Sequence, residues 1–496
     1  MKKPTYLLSL DQGTSSSRAL IVDEAGQCLA VSSVPLESKF PQPGWVEQEA
    51  VEIWQSQHEA IQLVIKKLGI KMTQITGIGI TNQRETTILW DRKTGEPVAP
   101  AIVWQDRRTS DFCQEHREQW QTMVVERTGL RLDPYFSATK LHYLLQDPSL
   151  KGRSEAGELA FGTVDTWLLW KLSGGKLHMT DPSNASRTML MNIETGQWDQ
   201  VLLDWLEIPR SLLPEIQGHG EVLGLSSEEV LGAEIPIAAQ LGDQQASLFA
   251  QGCHRAGEAK NTYGTGCFLL ANTGTRRVRS KNRLLTTVAW QFGEEITYAL
   301  EGSLFTAGAA VQWLHEGLGL IDSPAEVEME ARKVADSGGV SLVPAFSGLG
   351  APHWDPSARA LIGGLTRGSG KAEICRAALE GIALQSRDLI QAFEQDLGAP
   401  IDALKVDGGG TQNRLLMQIQ ADLAELEIQC PSEVEQTALG AAYMAGLALG
   451  VWRSMDEIAN LQSDFECYRP EMKSGPRNEI VSRWGLAVER CLAWEA

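Results

Sequence analysis

The chain has few of the residues that staple or metallate a fold. Its eight cysteines are scattered from Cys28 to Cys491 with no Cys-x-x-Cys pair, which excludes a disulfide framework and a zinc site and suits a reducing, cytoplasmic setting. The eight histidines form no His-Glu-x-x-His or comparable cluster, so no protein-ligated transition metal is indicated. No Gly-x-x-x-x-Gly-Lys-Ser/Thr stretch is present, which excludes a Walker A loop. Long apolar runs are missing too. The longest, Ala438 to Trp452, is shorter than a membrane span and rich in Gly and Ala, and reads as a buried helix. After Lys2 and Lys3, the apolar stretch beginning at Tyr6 stops at Asp11, too soon for a secretory signal. Positive charge is scarce, with 44 Lys and Arg against 63 Asp and Glu and a net charge of -19. Such a surface repels nucleic acid and anionic membrane, so any phosphate must be held by local backbone amides and a few placed cations.

What is present reads as a large α/β protein. A length of 496 residues exceeds what one hydrophobic core supports, so two domains are expected. The strand Tyr6–Leu10 leads into the polar turn Asp11–Arg18. Strands Ala19–Val22 and Cys28–Val31 follow, and then a helix from about Glu49 with Val51, Trp54, Ile61, Val64, Ile65 and Leu68 on one face and Gly69 as its stop. The strands Ile78–Ile80 and Thr86–Trp90 flank the polar stretch Thr81–Glu85. The second half repeats this grammar. Lys260–Tyr263 runs into Gly264-Thr265-Gly266 and the strand Cys267–Ala271, and Leu404–Val406 closes on Asp407-Gly408-Gly409-Gly410 before a helix over Asn413–Leu423. The repetition predicts two related domains facing each other across a cleft, with a boundary near Gly252 that gives domains 1–252 and 253–496.

Three Gly- or hydroxyl-rich turns, Asp11–Arg18, Gly264–Gly266 and Asp407–Gly410, each end an apolar strand, where α/β sheets place ligands. Backbone N–H groups exposed in such turns can cradle phosphate, though one such turn alone is equally an ordinary hairpin. Asp11 beside hydroxyls and Arg18 suits Mg²⁺, which prefers carboxylate, water and phosphate oxygens; the plainer alternative is a turn-capping aspartate. Thr81–Thr87 holds an Arg84–Glu85 pair whose donors and acceptors could meet a small polyol, but by composition alone it reads as a solvated hairpin tip. Asp243, at the end of the apolar run Ile235–Leu241, could serve as a general base. Composition does not choose it over Asp106 or Asp165. Trp45, Trp104, Trp167 and Trp354 could pack on a polyol's carbons or simply fill core and rim.

Taken together, these segments resemble the FGGY carbohydrate kinase family, which includes glycerol, xylulose and gluconate kinases within the actin-like ATPase superfamily. The resemblance runs nearly end to end. It is carried by Asp11-Gln12-Gly13-Thr14 with Arg18, Pro43-Gly44-Trp45, Thr81–Thr87, Trp104–Arg108, Asp133-Pro134-Tyr135-Phe136-Ser137, Gly162–Trp167, Asn184–Thr188, Gly242–Gln245, Asn261–Gly266, Gly348–Pro352 and Asp407-Gly408-Gly409. The Asn82–Thr87 and Asp133–Ser137 stretches are similar to the glycerol-specific branch. The resemblance implies two actin-like, ribonuclease H-like domains and ATP-dependent phosphorylation of a terminal hydroxyl of glycerol. It implies glycerol held by Arg84, Glu85, Tyr135, Asp243 and Gln244, with Trp104 and Phe268 as the apolar wall and Asp243 as general base. Thr14, Ser15, Ser16 and Arg18 would meet the phosphates, Thr265, Gly308, Gln312, Gly409 and Asn413 would frame the nucleotide, and Asp11 with Asp243 would position Mg²⁺. By analogy a homodimer or homotetramer is expected. Other polyols, and the shape-changing ATPases of the same superfamily, are the competing readings.

Two departures stand out. Relatives bind a sugar bisphosphate through an arginine, or are activated by a phosphorylated histidine, in a loop that is here the acidic Ser226–Glu234. Neither form of regulation is expected, because an anion would meet like charge and no histidine lies in the loop. His219, nearby, is read as a surface histidine. Arg283 stands before the paired leucines where relatives carry glycine, which puts that turn in question.

Overall fold

Both faces of the first strand, β1 (Tyr6–Gln12), are apolar: Leu8 and Leu10 enter one core and Leu7 another. A strand covered on both sides belongs inside a sheet, and β1 lies there. The computed structural model describes residues 5–461 and 464–494; Lys2 and Lys3 lie outside them. From β1 the chain runs through β2 (Ser16–Val22) and β3 (Cys28–Pro35) as an antiparallel meander, crosses back through α1 (Ala50–Leu68), and adds β4 (Ile75–Asn82) parallel to β1. The short β5 (Gly224–Leu225) and β6 (Pro236–Gly242) complete the order β5-β6-β4-β1-β2-β3. Helix α2 (Asp243–Ala250) starts directly from the end of β6.

The second half repeats the plan. Strands β7 (Ala259–Tyr263), β8 (Cys267–Gly274), β9 (Leu285–Phe292) and β10 (Glu295–Leu304) are antiparallel neighbours, with β10 between β8 and the edge strand β9. Then come α3 (Lys371–Leu397), β11 (Ala403–Asp407), α4 (Arg414–Ala424), β12 (Glu427–Pro431), α5 (Gln436–Ala448) and β13 (Phe465–Tyr468). The sheet order is β9-β10-β8-β7-β11-β12-β13. In each sheet the leading strand has two antiparallel strands on one side and, on the other, a parallel strand reached through a helix: β3-β2-β1-β4 and β10-β8-β7-β11. The duplicated grammar of the sequence is thus a duplicated topology.

The run Ala438–Trp452, expected to be a buried helix, is largely α5. It lies in the second half of the chain yet packs on the first sheet. Ser9 Oγ donates to Ala438 O at 2.6 Å, a Cβ added at Gly79 would sit 2.1 Å from Ala441 O, and one at Gly440 would sit 1.9 Å from Ala246 O. Backbones meet here with no side chain between them.

Three local expectations change. The polar turn after β1 shrinks to Gly13–Ser15 because β2 already begins at Ser16, where Asp11 pairs in register with Arg18. The buried face of α1 is Ile53, Ser56, Gln57, Ala60, Ile61 and Val64, with Trp54, Ile65 and Leu68 only half-buried. Two polar members turn the stripe inward by bonding the sheet: Ser56 Oγ lies 2.8 Å from Ser17 Oγ, and Gln57 Nε2 donates to Arg18 O at 2.8 Å. His219 is a buried residue, not a surface one. Its Nδ1 accepts from the Gln291 amide at 3.1 Å, its Nε2 faces Gln240 O at 3.0 Å, and Asp181 stands 3.3 Å away, because this segment bridges to the end of β9. The questioned turn persists: Arg283 takes the left-handed conformation at φ +62° that favours glycine.

Candidate active site

The C-terminal ends of three parallel strands finish level, with Gln12 of β1, Asn82 of β4 and Gly242 of β6 in register. This edge carries Asp11, the Asn82–Glu85 turn and Asp243, the arrangement that puts ligands at strand ends in open α/β sheets. Residues 81 to 87 are buried throughout, and do not form the solvated hairpin tip that composition suggested. Their polar groups bond within the stretch and to buried neighbours from other segments. Gln83 Nε2 donates to Gln48 Oε1 at 2.9 Å, Thr86 Oγ1 donates to Gln83 Oε1 at 3.0 Å, and Asn82 Nδ2 donates to Asn184 Oδ1 at 3.0 Å.

Arg84 anchors the centre. It donates to both oxygens of Glu301 at 2.7 and 2.8 Å and to Gln245 Oε1 at 3.0 Å, while its Nε faces Asp243 Oδ1 at 3.3 Å without an in-line hydrogen bond. That buried N–H has no hydrogen-bond partner among the described residues. Glu85, at φ +61°, is a left-handed non-glycine residue. The conformation costs free energy and is held by Arg187, whose Nε donates to Glu85 Oε1 at 2.6 Å, and by Ser137 Oγ, which donates to Glu85 O at 2.9 Å. Gly242 is required beside them, since a Cβ there would lie 2.6 Å from Arg84 Cδ. Asp243 opens α2 and accepts from the Gln244 amide at 2.7 Å. Burial pushes its pKa above the usual carboxylate range, with Arg84 and Lys260 opposing the rise. Asp106 and Asp165 play other parts. Asp106 is taken up by Arg108 and the Val46 amide, and Asp165 by Thr163 and Thr180.

An aromatic wall closes the same space. Trp104 meets Tyr135 edge-on at 5.7 Å and Phe268 of β8 at 6.2 Å between ring centres, so both halves of the chain contribute. Trp104 Nε1 also donates to Thr14 Oγ1 at 2.9 Å, which ties the wall to the Gly13–Ser15 turn. In that turn Thr14, Ser15 and Ser16 keep solvent access, and Arg18 pairs with Glu435 at 2.8 Å. Trp45 instead stacks under Arg108 at 3.8 Å, Trp167 is core, and Trp354 Nε1 donates to Arg283 O at 2.6 Å.

A cavity of about 1050 Å³ opens in the second half, and Thr265, Gly308, Gln312, Gly409 and Asn413 all line it. Its apolar side is made by Val327, Ile382 and Leu416, suited to a flat ring system. Asn413 Oδ1 caps α4 by accepting from the Leu416 amide at 2.9 Å, which leaves its Nδ2 as a donor.

Several residues of the centre were given no site role by the sequence: Arg187, Gln245 and Lys260 lie within stretches it singled out, and Glu301 and Lys140 lie outside all of them. Arg187 and Glu301 are isolated charges inside apolar or hydroxyl-rich runs, and that was the available signal. Burial would raise the Glu301 pKa, yet Arg187 and Arg84 hold it down to about 2. Lys140, fully buried, donates to Tyr135 O at 2.6 Å and is pushed down to about 7 by burial.

Residues 6–250 match the N-terminal domain model of the FGGY family of carbohydrate kinases, and residues 259–449 match the C-terminal domain model. The chain belongs to the FGGY carbohydrate kinases. Within that family it is 51% identical to the glycerol kinase of Deinococcus radiodurans, with 100% of this chain and 99% of that one covered. It is also 51% identical to glycerol kinase 2 of Thermotoga maritima, with 99% of each covered. Its fold matches the crystal structure of Plasmodium falciparum glycerol kinase with ADP at a TM-score of 0.92 and 38% identity, covering 99% of this chain and 98% of that one. Gluconate kinase from Lactobacillus acidophilus, at 22% identity and a TM-score of 0.87 over 98% of this chain and 97% of that one, shares the two-lobed FGGY architecture. Among the described residues, no helix of this FGGY kinase is long and apolar enough to cross a membrane.

Proposed function

We propose that this kinase transfers the γ-phosphoryl group of ATP to a terminal hydroxyl of glycerol, giving sn-glycerol 3-phosphate and ADP. The observation that carries the reading is the Asp243–Arg84 pair. A half-buried carboxylate, its side chain 29% exposed, and an unanswered buried N–H lie side by side near the wall of Trp104, Tyr135 and Phe268. The polyol's carbons rest on the aromatic faces and its hydroxyls meet Arg84, Glu85, Asp243 and Gln244. The glycerol kinase names of full-length relatives at about half identity support the same substrate.

In the reaction, Asp243 accepts the proton of the terminal hydroxyl as that oxygen bonds to the γ-phosphorus. The bond from the γ-phosphorus to the β–γ bridging oxygen breaks, and ADP leaves with the electron pair. Little covalent work falls to the protein, so positioning and charge neutralisation dominate. Burial raises the Asp243 pKa, which makes its carboxylate a stronger base than an exposed one. Thr14, Ser15, Ser16 and Arg18 take the transferred phosphoryl group, and the cavity around Thr265, Gly308, Gln312, Gly409 and Asn413 takes the nucleotide. We assign polyol and base chiefly to residues 1–252 and nucleotide to 253–496, with Phe268 and Glu301 reaching across.

The donor set fits Mg²⁺. Asp11 is nearly buried, and burial together with Asp243 and Glu435 drives its pKa up to about 7 against the pull of Arg18, so a divalent cation would relieve it. Among the described residues no three His, Cys, Asp or Glu side chains gather as a metal cluster. Mg²⁺ would then be held by Asp11 and Asp243 with water and phosphate completing its shell, and it would neutralise charge on the triphosphate. We further propose a cytoplasmic homo-oligomer. The test is ADP release by Asp243→Asn with glycerol and ATP. The expected loss in kcat is about 10²-fold or more, and near-normal turnover would remove the assigned base. A substrate panel in which a pentulose exceeds glycerol in kcat/KM would overturn the substrate.

A further inference from the structure

Gln244 follows the proposed base, and its amide is polarised by one neighbour. Lys260, fully buried on β7, donates from Nζ to Gln244 Oε1 and to Thr262 Oγ1, the latter at 2.7 Å. An ammonium carries three donors and no acceptor, so the atom turned toward it must be the amide oxygen. The opposite arm, Nε2, has no hydrogen-bond partner among the described residues, and Gln244 as a whole is 7% exposed. Glutamine amides otherwise flip freely between donor-forward and acceptor-forward states. Here one state is excluded, because flipping would set NH₂ against NH₃⁺ in a buried space.

We propose that Lys260 is a positioning residue that locks Gln244 as a donor toward the polyol, and so sets which substrate hydroxyl the site demands. The inference rests on the polyol-kinase reading. The lock runs between the two halves of the chain, from β7 to the start of α2, so Gln244 is oriented only when both are in place. A site with a fixed donor discriminates strongly against an analogue that lacks the oxygen it serves, because the donor is then left unpaired. A freely flipping amide discriminates less.

The experiment compares kcat/KM for glycerol, propane-1,2-diol and propane-1,3-diol in wild type, Lys260→Met, Lys260→Gln, Gln244→Glu, Gln244→Ala and the double variant Lys260→Met/Gln244→Ala. The wild-type preference for glycerol over one of the two diols is expected to fall by roughly tenfold or more in Lys260→Met. Lys260→Gln, which can still donate to Gln244, should retain more of it. Gln244→Glu, which keeps the partner of Lys260 but loses the donor, should lose the preference as well. Lys260→Met added to Gln244→Ala should cost nothing further in selectivity. A merely structural lysine would instead lower kcat/KM for all three polyols alike, and that outcome overturns the proposal, as does a Gln244→Glu enzyme with unchanged preference. Should Lys260→Met fail to fold, the Lys260→Gln and Gln244→Glu arms decide. If wild type turns over another polyol and not glycerol, the function assigned above fails, and the lock is judged on that polyol's deoxy analogues.

Discussion

Replacing Glu301 by glutamine tests the electrostatic centre most directly. Glu301 has no solvent exposure, accepts two hydrogen bonds from Arg84 and stands 3.1 Å from Arg187. Together Arg84, Arg187, Glu85 and Glu301 form a buried set with two charges of each sign. The substitution keeps the shape, removes one negative charge and turns an NH₂ group toward a guanidinium. The lowering of the Glu301 pKa from 4.5 to about 2 corresponds to roughly 3 kcal/mol in favour of its charged form. Breaking a buried pair from one side costs about 3–5 kcal/mol, a large share of the ~5–15 kcal/mol that holds a protein folded. The sign follows from a depressed folded-state pKa: the stabilisation is present above the unfolded value near 4.5 and is lost only as pH falls through about 2. The deficit of Glu301→Gln should therefore be constant between about pH 6 and 8. Urea midpoints and Tm measure it, and steady-state kinetics should show KM for glycerol rising about tenfold or more as Arg84 loses its clamp. A variant within ~1 kcal/mol of wild type and with unchanged KM would refute both the charge balance and the role given to Arg84.

Three further outcomes are expected. Gly242→Ala sets a methyl group 2.6 Å from Arg84 Cδ and 2.8 Å from Gln245 Oε1, so glycerol KM should rise and Tm fall, read by kinetics and calorimetry. Asp388, whose carboxylate accepts from Trp484 Nε1 at 2.7 Å, is raised by burial to about 6. A raised folded-state pKa means its stabilising acid form is lost as pH climbs through about 6, so Asp388→Asn should gain up to about 3 kcal/mol near pH 8 and nothing near pH 4. Equal gains at both pH values in denaturation curves would contradict this. Arg283→Gly should relieve the left-handed backbone at φ +62° and raise stability by about 1 kcal/mol, visible as a higher Tm.

The repeating strand-and-turn grammar was legible because period and turn chemistry are local. The strands around Tyr6, Lys260 and Leu404, the helix over Asn413–Leu423 and the buried helix after Ala438 all stand where the pattern puts them. What stayed hidden is tertiary. Residues 81 to 87 are as polar as any exposed turn, and only the register of β1, β4 and β6 reveals that they are sealed from water. His219 misled for the same reason, since nothing local announces that β9 crosses it. Glu301 sits more than two hundred positions from Arg84, and a charge whose counter-ion is that distant looks like any other acidic residue. Composition left Asp106, Asp165 and Asp243 equivalent, whereas in the folded chain two of the three are occupied by their own neighbours.

The placement of α5 bears on how the molecule can be built. This helix is made late, ending at Ala448, yet it covers β1, β4 and β6, which are complete by residue 242. A fragment stopping at residue 252 would present that sheet face bare, a long apolar surface open to aggregation. During synthesis the early sheet must therefore wait for nearly two hundred more residues before its roof arrives. Expressed as two separate pieces, the chain should yield soluble product only when both are made together.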